Sequence, residues 1–329
     1  MKPFAYVNAA NEKEAVAALG TERGRFLPLA GGMDLLSLMK DYVAQPDRVV
    51  NVKGLDKTVT RAPDGGMRIG AGVTIAELAA HADVARLYPA IAQAAADVGT
   101  PQIRNAGTVG GNINQRPRCW YFRNEEFNCL KKGGSRCFAV DGENQYHAIF
   151  GGGPCYIVHP SSLAVPATAL AARMRVVGPA GEREVPAEQY FVMPDRDLFG
   201  ETVLQPNELM THLILPAPGA VKSSTYEVRY KQSHDWPIAS ASVALDLNSR
   251  TVRGARVVVG YVAPVPWRVE AAEGVLAGKT ITEQAAMEAA DAAVQDARAM
   301  SQNAYKIQVA RTAVKRAIML AAGLKGNWA

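Results

Sequence analysis

The residues best equipped for chemistry are four cysteines, Cys119, Cys129, Cys137 and Cys155, the whole cysteine complement of the chain, separated by 9, 7 and 17 residues. Three chemistries suit four thiols so placed: two disulfides, a tetrahedral zinc site, or a [4Fe–4S] cluster. The paired C-x₂₋₄-C knuckles of zinc sites are absent, and so is the C-x₂-C-x₂-C run of ferredoxins. The N-terminus, Met-Lys-Pro-Phe-Ala-Tyr, has no apolar export segment, which weighs against disulfides unless a partner carries the chain out. Spacing alone leaves iron–sulfur and zinc nearly level. His147 and His159 flank Cys155 but read as hydrogen-bonding or packing residues, since four thiols already fill a coordination shell.

Two glycine loops form the second chemical feature. They are Leu27-Pro28-Leu29-Ala30-Gly31-Gly32-Met33-Asp34 and Thr108-Val109-Gly110-Gly111-Asn112-Ile113-Asn114. Without a Cβ, glycine lets backbone N–H groups approach an oxyanion, so each loop can cradle a phosphate, and two together suit a diphosphate. A single Gly-Gly pair reads more simply as a tight turn. Neither loop has the G-x-G-x-x-G spacing, and no acidic ribose ligand follows at the usual distance of roughly 20 residues, which argues against a Rossmann site.

The elements around these features follow from periodicity. Residues 11–20 read as a helix with Asn11 as N-cap, then a strand at 25–29, the first glycine loop and a helix over 34–40. Strands are predicted at 48–52 and 67–72, then helices over 74–98 opened by Thr74 and Glu77 and broken near Pro89, and a loop over 99–114. Residues 115–156 show no clean period, and roughly forty structureless residues in a compact domain need pinning by something other than a core. A helix after Ser162 and strands at 174–177, near Val185 and at 213–215 follow, with 216–224 as linker. Three antiparallel strands at 225–231, 239–247 and 252–262 precede an Ala-rich helical end, in which Ile307, Ala310, Val314, Ala317, Ile318 and Ala321 form one stripe.

With 48% apolar and 20% charged residues the 329-residue chain can build two or three compact units. The net charge of +5 comes from basic residues scattered along the chain, not the concentrated face that nucleic acid needs. No run of roughly 18 apolar residues suggests a membrane span. The chain therefore reads as cytoplasmic by its own sequence, or periplasmic by co-export with a partner.

Longer motifs carry a family resemblance. Ala30-Gly31-Gly32-Met33-Asp34-Leu35-Leu36 and Gln102-Ile103-Arg104-Asn105-Ala106-Gly107-Thr108-Val109-Gly110-Gly111-Asn112-Ile113 resemble the AGGTDLL and QIRN-x-x-T-x-GGN loops of the FAD-binding subunits of the xanthine dehydrogenase, or molybdenum hydroxylase, family. The cysteine segment resembles the insertion that carries a [4Fe–4S] cluster in the flavin subunit of bacterial periplasmic aldehyde oxidoreductase. His159-Pro160-Ser161-Ser162-Leu163-Ala164 is similar to the PSDL segment near the flavin ring, and Tyr230-Lys231-Gln232 with Ile238–Ala244 to the lysine-bearing strand and its neighbour. Ser162 departs from the pattern, standing where an aspartate is usual; its loss near the ring would favour the reduced, anionic flavin. Alternatively Ser162 caps the following helix. The turn after Lys231 is short and contains His234-Asp235-Trp236.

The resemblance implies an α+β fold: a two-lobed FAD-binding domain of the PCMH/vanillyl-alcohol-oxidase-like type over 1–218, with lobes 1–55 and 56–218 and the cysteine-rich insertion at 115–156. A small domain of three-stranded antiparallel sheet and helices would follow over 225–329. FAD would be held by Leu27, Ala30, Gly31, Gly32, Met33, Asp34, Leu35, Thr108, Gly110, Gly111, Asn112 and Asn114, the loops gripping through backbone groups, with Ser162, Leu163 and Lys231 near the ring. Cys119, Cys129, Cys137 and Cys155 would bind the cluster, with Arg116, Arg118, Lys131, Lys132 and Arg136 as surrounding positive charge. No side chain would be catalytic. The chain would be one subunit of a heterotrimer with a large molybdenum-cofactor subunit and a small [2Fe–2S] subunit, passing electrons through FAD to an external acceptor. Two other readings compete: a zinc-stabilised scaffold and a stand-alone flavin oxidoreductase of the vanillyl-alcohol oxidase type.

Overall fold

The computed structural model describes residues 1–231 and 234–326. Its first unit is a small parallel sheet of β1 (Ala5–Asn8), β2 (Phe26–Leu29) and β3 (Arg48–Asn51) in the order β1-β3-β2. Val49 and Val50 in the middle strand are fully buried. Asn11 caps the helix Glu12–Ala18 by accepting from the Glu14 N–H at 2.9 Å. The chain then rises from β2 through the first glycine loop into the helix Leu35–Lys40.

A second, antiparallel sheet contains β4 (Val59–Arg61), β5 (Met67–Gly70), β6 (Arg173–Gly178), β7 (Gly181–Pro186) and β8 (Leu209–Leu215), ordered β4-β5-β8-β6-β7. The pairing of β5 with β8 closes the unit around everything between them, the cysteine segment included. Against it pack the helices Ile75–Ala80, Ala82–Leu87 and Pro89–Asp97; Thr74 and Glu77 form a complete capping box. The predicted loop at 99–114 is instead two short helices, Pro101–Ala106 and Val109–Ile113, capped by Thr100 and Thr108. Its glycines had hidden them, because helix propensity is poor at Gly110 and Gly111 and tertiary packing supplies the difference.

The C-terminal sheet has four strands, not three: β9 (Val221–Val228), β10 (Ala239–Asn248), β11 (Thr251–Gly260) and the two-residue β12 (Trp267–Arg268). Because β9 begins at Val221, the expected 216–224 linker shortens. The helix Tyr305–Ala321 buries the predicted stripe against this sheet, with Ala310, Val314, Ala317 and Ile318 inaccessible to water. The Thr225 N–H donates to Gln93 Oε1 at 2.8 Å, joining β9 to the helix Pro89–Asp97. No helix among the described residues is long and apolar enough to cross a membrane.

Candidate functional site

A cavity of about 430 Å³, within the usual range for small-molecule sites, opens where the three units meet. Both glycine loops line it, as do Ser162, Tyr261 and Asp97, and the turn His234–Pro237 borders it. Leu27, Ala30, Gly31, Gly32, Met33, Asp34, Leu35, Thr108, Gly110, Gly111, Asn112, Asn114 and Ser162 all line it. Leu163 does not; it is fully buried in the core of the second unit. Lys231 does not either, being exposed, with its N–H on Asp235 Oδ2 at 3.2 Å. Its neighbour Gln232, part of the lysine-bearing motif, lies outside the described residues.

The two loops present different chemistry. Among the described residues the N–H groups of Gly31, Gly32, Met33, Asp34 and Leu35 have no acceptor within the chain. Unpaired N–H groups aimed into a cavity are what a phosphate oxygen requires. The second loop has used its donors: Val109 N–H bonds Val73 O, Gly110 N–H bonds Ala71 O, Gly111 N–H bonds Thr108 Oγ1 and Asn112 N–H bonds Thr108 O. The expected grip through these backbone groups is thus corrected at 109–112, because a helix formed there and satisfied them. Asn112 Oδ1 accepts from Ser161 Oγ at 2.7 Å, and Asn114 Oδ1 from Tyr190 OH at 2.6 Å. Both side chains fix the cavity wall.

Ser162 does not cap the helix Ala164–Ala169; Ser161 Oγ does, accepting from Ala164 N–H at 3.0 Å. Ser162 Oγ instead shares a 2.6 Å hydrogen bond with Tyr261 OH. The surroundings of Ser162 also do not lack a carboxyl, because Glu227 from β9 faces this hydroxyl. Sequence offered no signal for Glu227 or Tyr261, which lie in a strand and just past the end of another.

Asp34 turns away from the role of cavity ligand. Its carboxylate takes the Arg118 and Arg123 guanidinium groups and the Arg116 N–H, the last at 2.7 Å, tying the first loop to the cysteine segment. Burial pushes this carboxyl up, and Arg123 opposes that most strongly. Arg118 also lies 4.7 Å from the Trp236 ring centroid, a cation–π contact that joins the insertion to the turn beside the cavity.

All four cysteines are free and line one small cavity with Tyr121, Phe122, Phe138 and Lys131. Cys137 is held low, at about 6, by its hydrogen bond from the Cys155 thiol, while burial raises Cys119 to about 11. His147 Nε2 is 3.2 Å from Cys119 Sγ, and His159 packs edge-on to Phe191. Among the described residues no group of three His, Cys, Asp or Glu side chains is placed to hold a metal ion. The expected positive surround is neutralised only in part. Glu201 pairs with Lys131 and Arg116, each at 2.7 Å, Arg118 is on Asp34, and Arg136 covers the Phe138 ring. Leu38 connects the two sites, lining the large cavity while packing with Tyr121, Phe122 and Cys129.

Residues 2–218 match the family described as FAD binding domain in molybdopterin dehydrogenase, and residues 224–321 the CO dehydrogenase flavoprotein C-terminal domain. The chain belongs to the FAD-binding subunits of the molybdenum hydroxylase family. It is 33% identical to the aldehyde oxidoreductase FAD-binding subunit PaoB of Escherichia coli K12, over 94% of this chain and 96% of that protein. The carbon monoxide dehydrogenase medium chain of Hydrogenophaga pseudoflava is 29% identical, with 96% of each chain covered. A solved carbon monoxide dehydrogenase from that organism, lacking the Mo-pyranopterin moiety, superposes with a TM-score of 0.75 over 98% of each chain. This FAD-binding subunit is thus part of an oxidoreductase, which excludes the scaffold as a whole-protein reading.

Proposed function

We propose that this subunit is the electron outlet of a molybdenum-containing hydroxylase. Electrons that a molybdenum-bearing large subunit takes from its substrate pass through a [2Fe–2S] small subunit to the FAD held here, and from it to an external acceptor. The first loop's free N–H groups would hold the diphosphate, the second loop's helix would form the wall, and Ser162 with Tyr261 would face the ring. Bound FAD supplies the two-electron chemistry; the protein binds it, orients it and sets the polarity around it.

The four cysteines would hold a [4Fe–4S] cluster. What supports this is the chemistry of the donors, four thiols lining one small cavity walled by aromatic rings; their side chains are not arranged around a metal, and loading would require them to converge and to be deprotonated. One observation carries the redox reading over a purely structural metal: Leu38 lines the flavin cavity and packs with Tyr121, Phe122 and Cys129 of the cysteine site, and Asp34, which lines the same cavity, pairs with Arg118 of the cysteine segment. Iron, sulfide, zinc and FAD analysis of the purified protein tests it. Iron and sulfide at about four per chain are expected, and Cys137→Ser should lose the iron while keeping most FAD. Zinc in place of iron would overturn the cluster and leave the flavin reading standing.

A further inference from the structure

Behind the wall of the flavin cavity lies a buried polar group that no cofactor loop uses. The Glu227 side chain is 1% exposed, and although the Ser162 hydroxyl faces it, neither carboxylate oxygen has a hydrogen-bond partner of good geometry among the described residues. Its cross-strand neighbour on β10 is Ser240, whose Oγ is buried and equally unpartnered. Directly opposed residues of an antiparallel pair project from the same face, so three orphaned polar atoms occupy one side of the sheet. Leaving buried oxygens unpaired is costly, and native proteins tolerate such a place where water or a proton completes it.

The groups around Glu227 come from four elements. Arg229, just past the end of the same strand, approaches Oε2 to only 3.5 Å and is engaged at 2.8 Å with Asp97 at the end of the helix Pro89–Asp97. Tyr261, just after β11, and Ser162 share their 2.6 Å hydrogen bond beside it. The helix Tyr305–Ala321 covers the other face of β9, where Ser224 Oγ donates to Ala317 O. Tyr261, Ser162 and Asp97 all line the flavin cavity. Tyr261 has a φ of 63°, uncommon for a bulky residue, and its carbonyl is clamped by Lys306 Nζ at 2.7 Å. Strain of that kind persists where the surroundings over-determine it, and it concentrates at working sites. Burial pushes the Glu227 carboxyl up to about 7, with Arg229 opposing and Asp97 adding to the rise. Burial, and next the Glu227 charge, holds the Tyr261 phenol well above its ordinary range.

We propose that Glu227 is a proton-holding residue of the flavin site: its carboxylate binds one solvent proton when negative charge enters the cavity, with the Ser162 and Tyr261 hydroxyls bridging the two. This rests on the reading that FAD occupies the cavity. The chemistry is a protonation only. A reductant delivers two electrons to the cofactor, one proton from water adds to a Glu227 oxygen, and COO⁻ becomes COOH with no carbon bond altered. Removal of the electrons returns the proton.

Reduced-minus-oxidised infrared difference spectra of the FAD-loaded chain, reduced with dithionite at a series of pH values from about 7 to 9, test this. A new protonated-carboxyl band that moves in D₂O is expected in the wild type, absent from Glu227→Gln and kept by Asp97→Asn. The FAD midpoint potential should also depend less steeply on pH in Glu227→Gln. Labelling with ¹³C-glutamate identifies the band in the wild type even if Glu227→Gln does not fold. Bound FAD with no band, or a band unmoved by the label or surviving Glu227→Gln, overturns the proposal. Purified wild type without FAD overturns the reading of the cavity instead.

Discussion

The two glycine loops look alike as sequence and do different work. At the first, Gly31 and Gly32 let the chain turn with its N–H groups unpaired, and Gly31 packs so tightly on Ala106 that an added Cβ would stand 2.0 Å from its carbonyl oxygen. At the second, Gly110 allows the helix Val109–Ile113 to close on Ala71, where a Cβ would meet the Ala71 Cβ at 2.8 Å. One loop uses glycine to leave donors open, the other to pack a helix whose own capping closes them. A Gly-Gly pair therefore states that backbone approaches something closely, and only the hydrogen bonds tell whether that is ligand or protein.

Four substitutions sharpen or break this contrast. Gly31→Val should have the largest effect, a tenfold or greater fall in bound FAD read from flavin absorbance, with about 3 kcal/mol lost in urea denaturation; retained FAD would remove the first loop from the site. Asp34→Asn should cost about 2 kcal/mol, since Arg118 and Arg123 lose a charged partner. It should also weaken FAD binding, because the loop loses its tether. Gly110→Ala should cost about 1–2 kcal/mol by overpacking, yet the folded variant should bind FAD at wild-type stoichiometry. Gly111→Ala should be the mildest, within about 0.5 kcal/mol, as its Cβ would meet only Thr108 Oγ1, at 3.1 Å. A Gly110→Ala protein that folds normally but loses FAD would reverse the roles assigned to the loops.

Much of the fold was legible because its signals are local. Asn11 and Thr74 announce their helices through side chains that bond three residues on, and the stripe from Ile307 to Ala321 is a period that water enforces. The family was legible in the motifs of the two glycine loops. What escaped depends on partners far along the chain. β1 is four residues long, mostly exposed, and exists only because β3 pairs with it. β12 is two residues held by β11, and the helix Val109–Ile113 is seated by Ala71 and Val73. Glu227 reads as a polar residue on a strand, and only tertiary structure shows that its carboxyl is buried. The ion pairs that offset part of the basic charge near the cysteines were not legible, because Asp34 and Glu201 lie 82 residues before Arg116 and 70 after Lys131.

Lys306 has a consequence for the order in which the molecule comes into being. Its buried ammonium donates to the carbonyls of Tyr146 and His147, at the far end of the cysteine segment, and of Tyr261. Asn303 adds bonds to the His147 and Ala148 carbonyls. Domains fold broadly from the N-terminus as the ribosome releases them, yet here the seat for the central segment is furnished by residues 155 to 160 positions further along the chain. The cysteine segment can settle into its final place only after the stretch that carries Asn303 and Lys306 has been made, so its folding waits on a part of the chain that belongs to another unit.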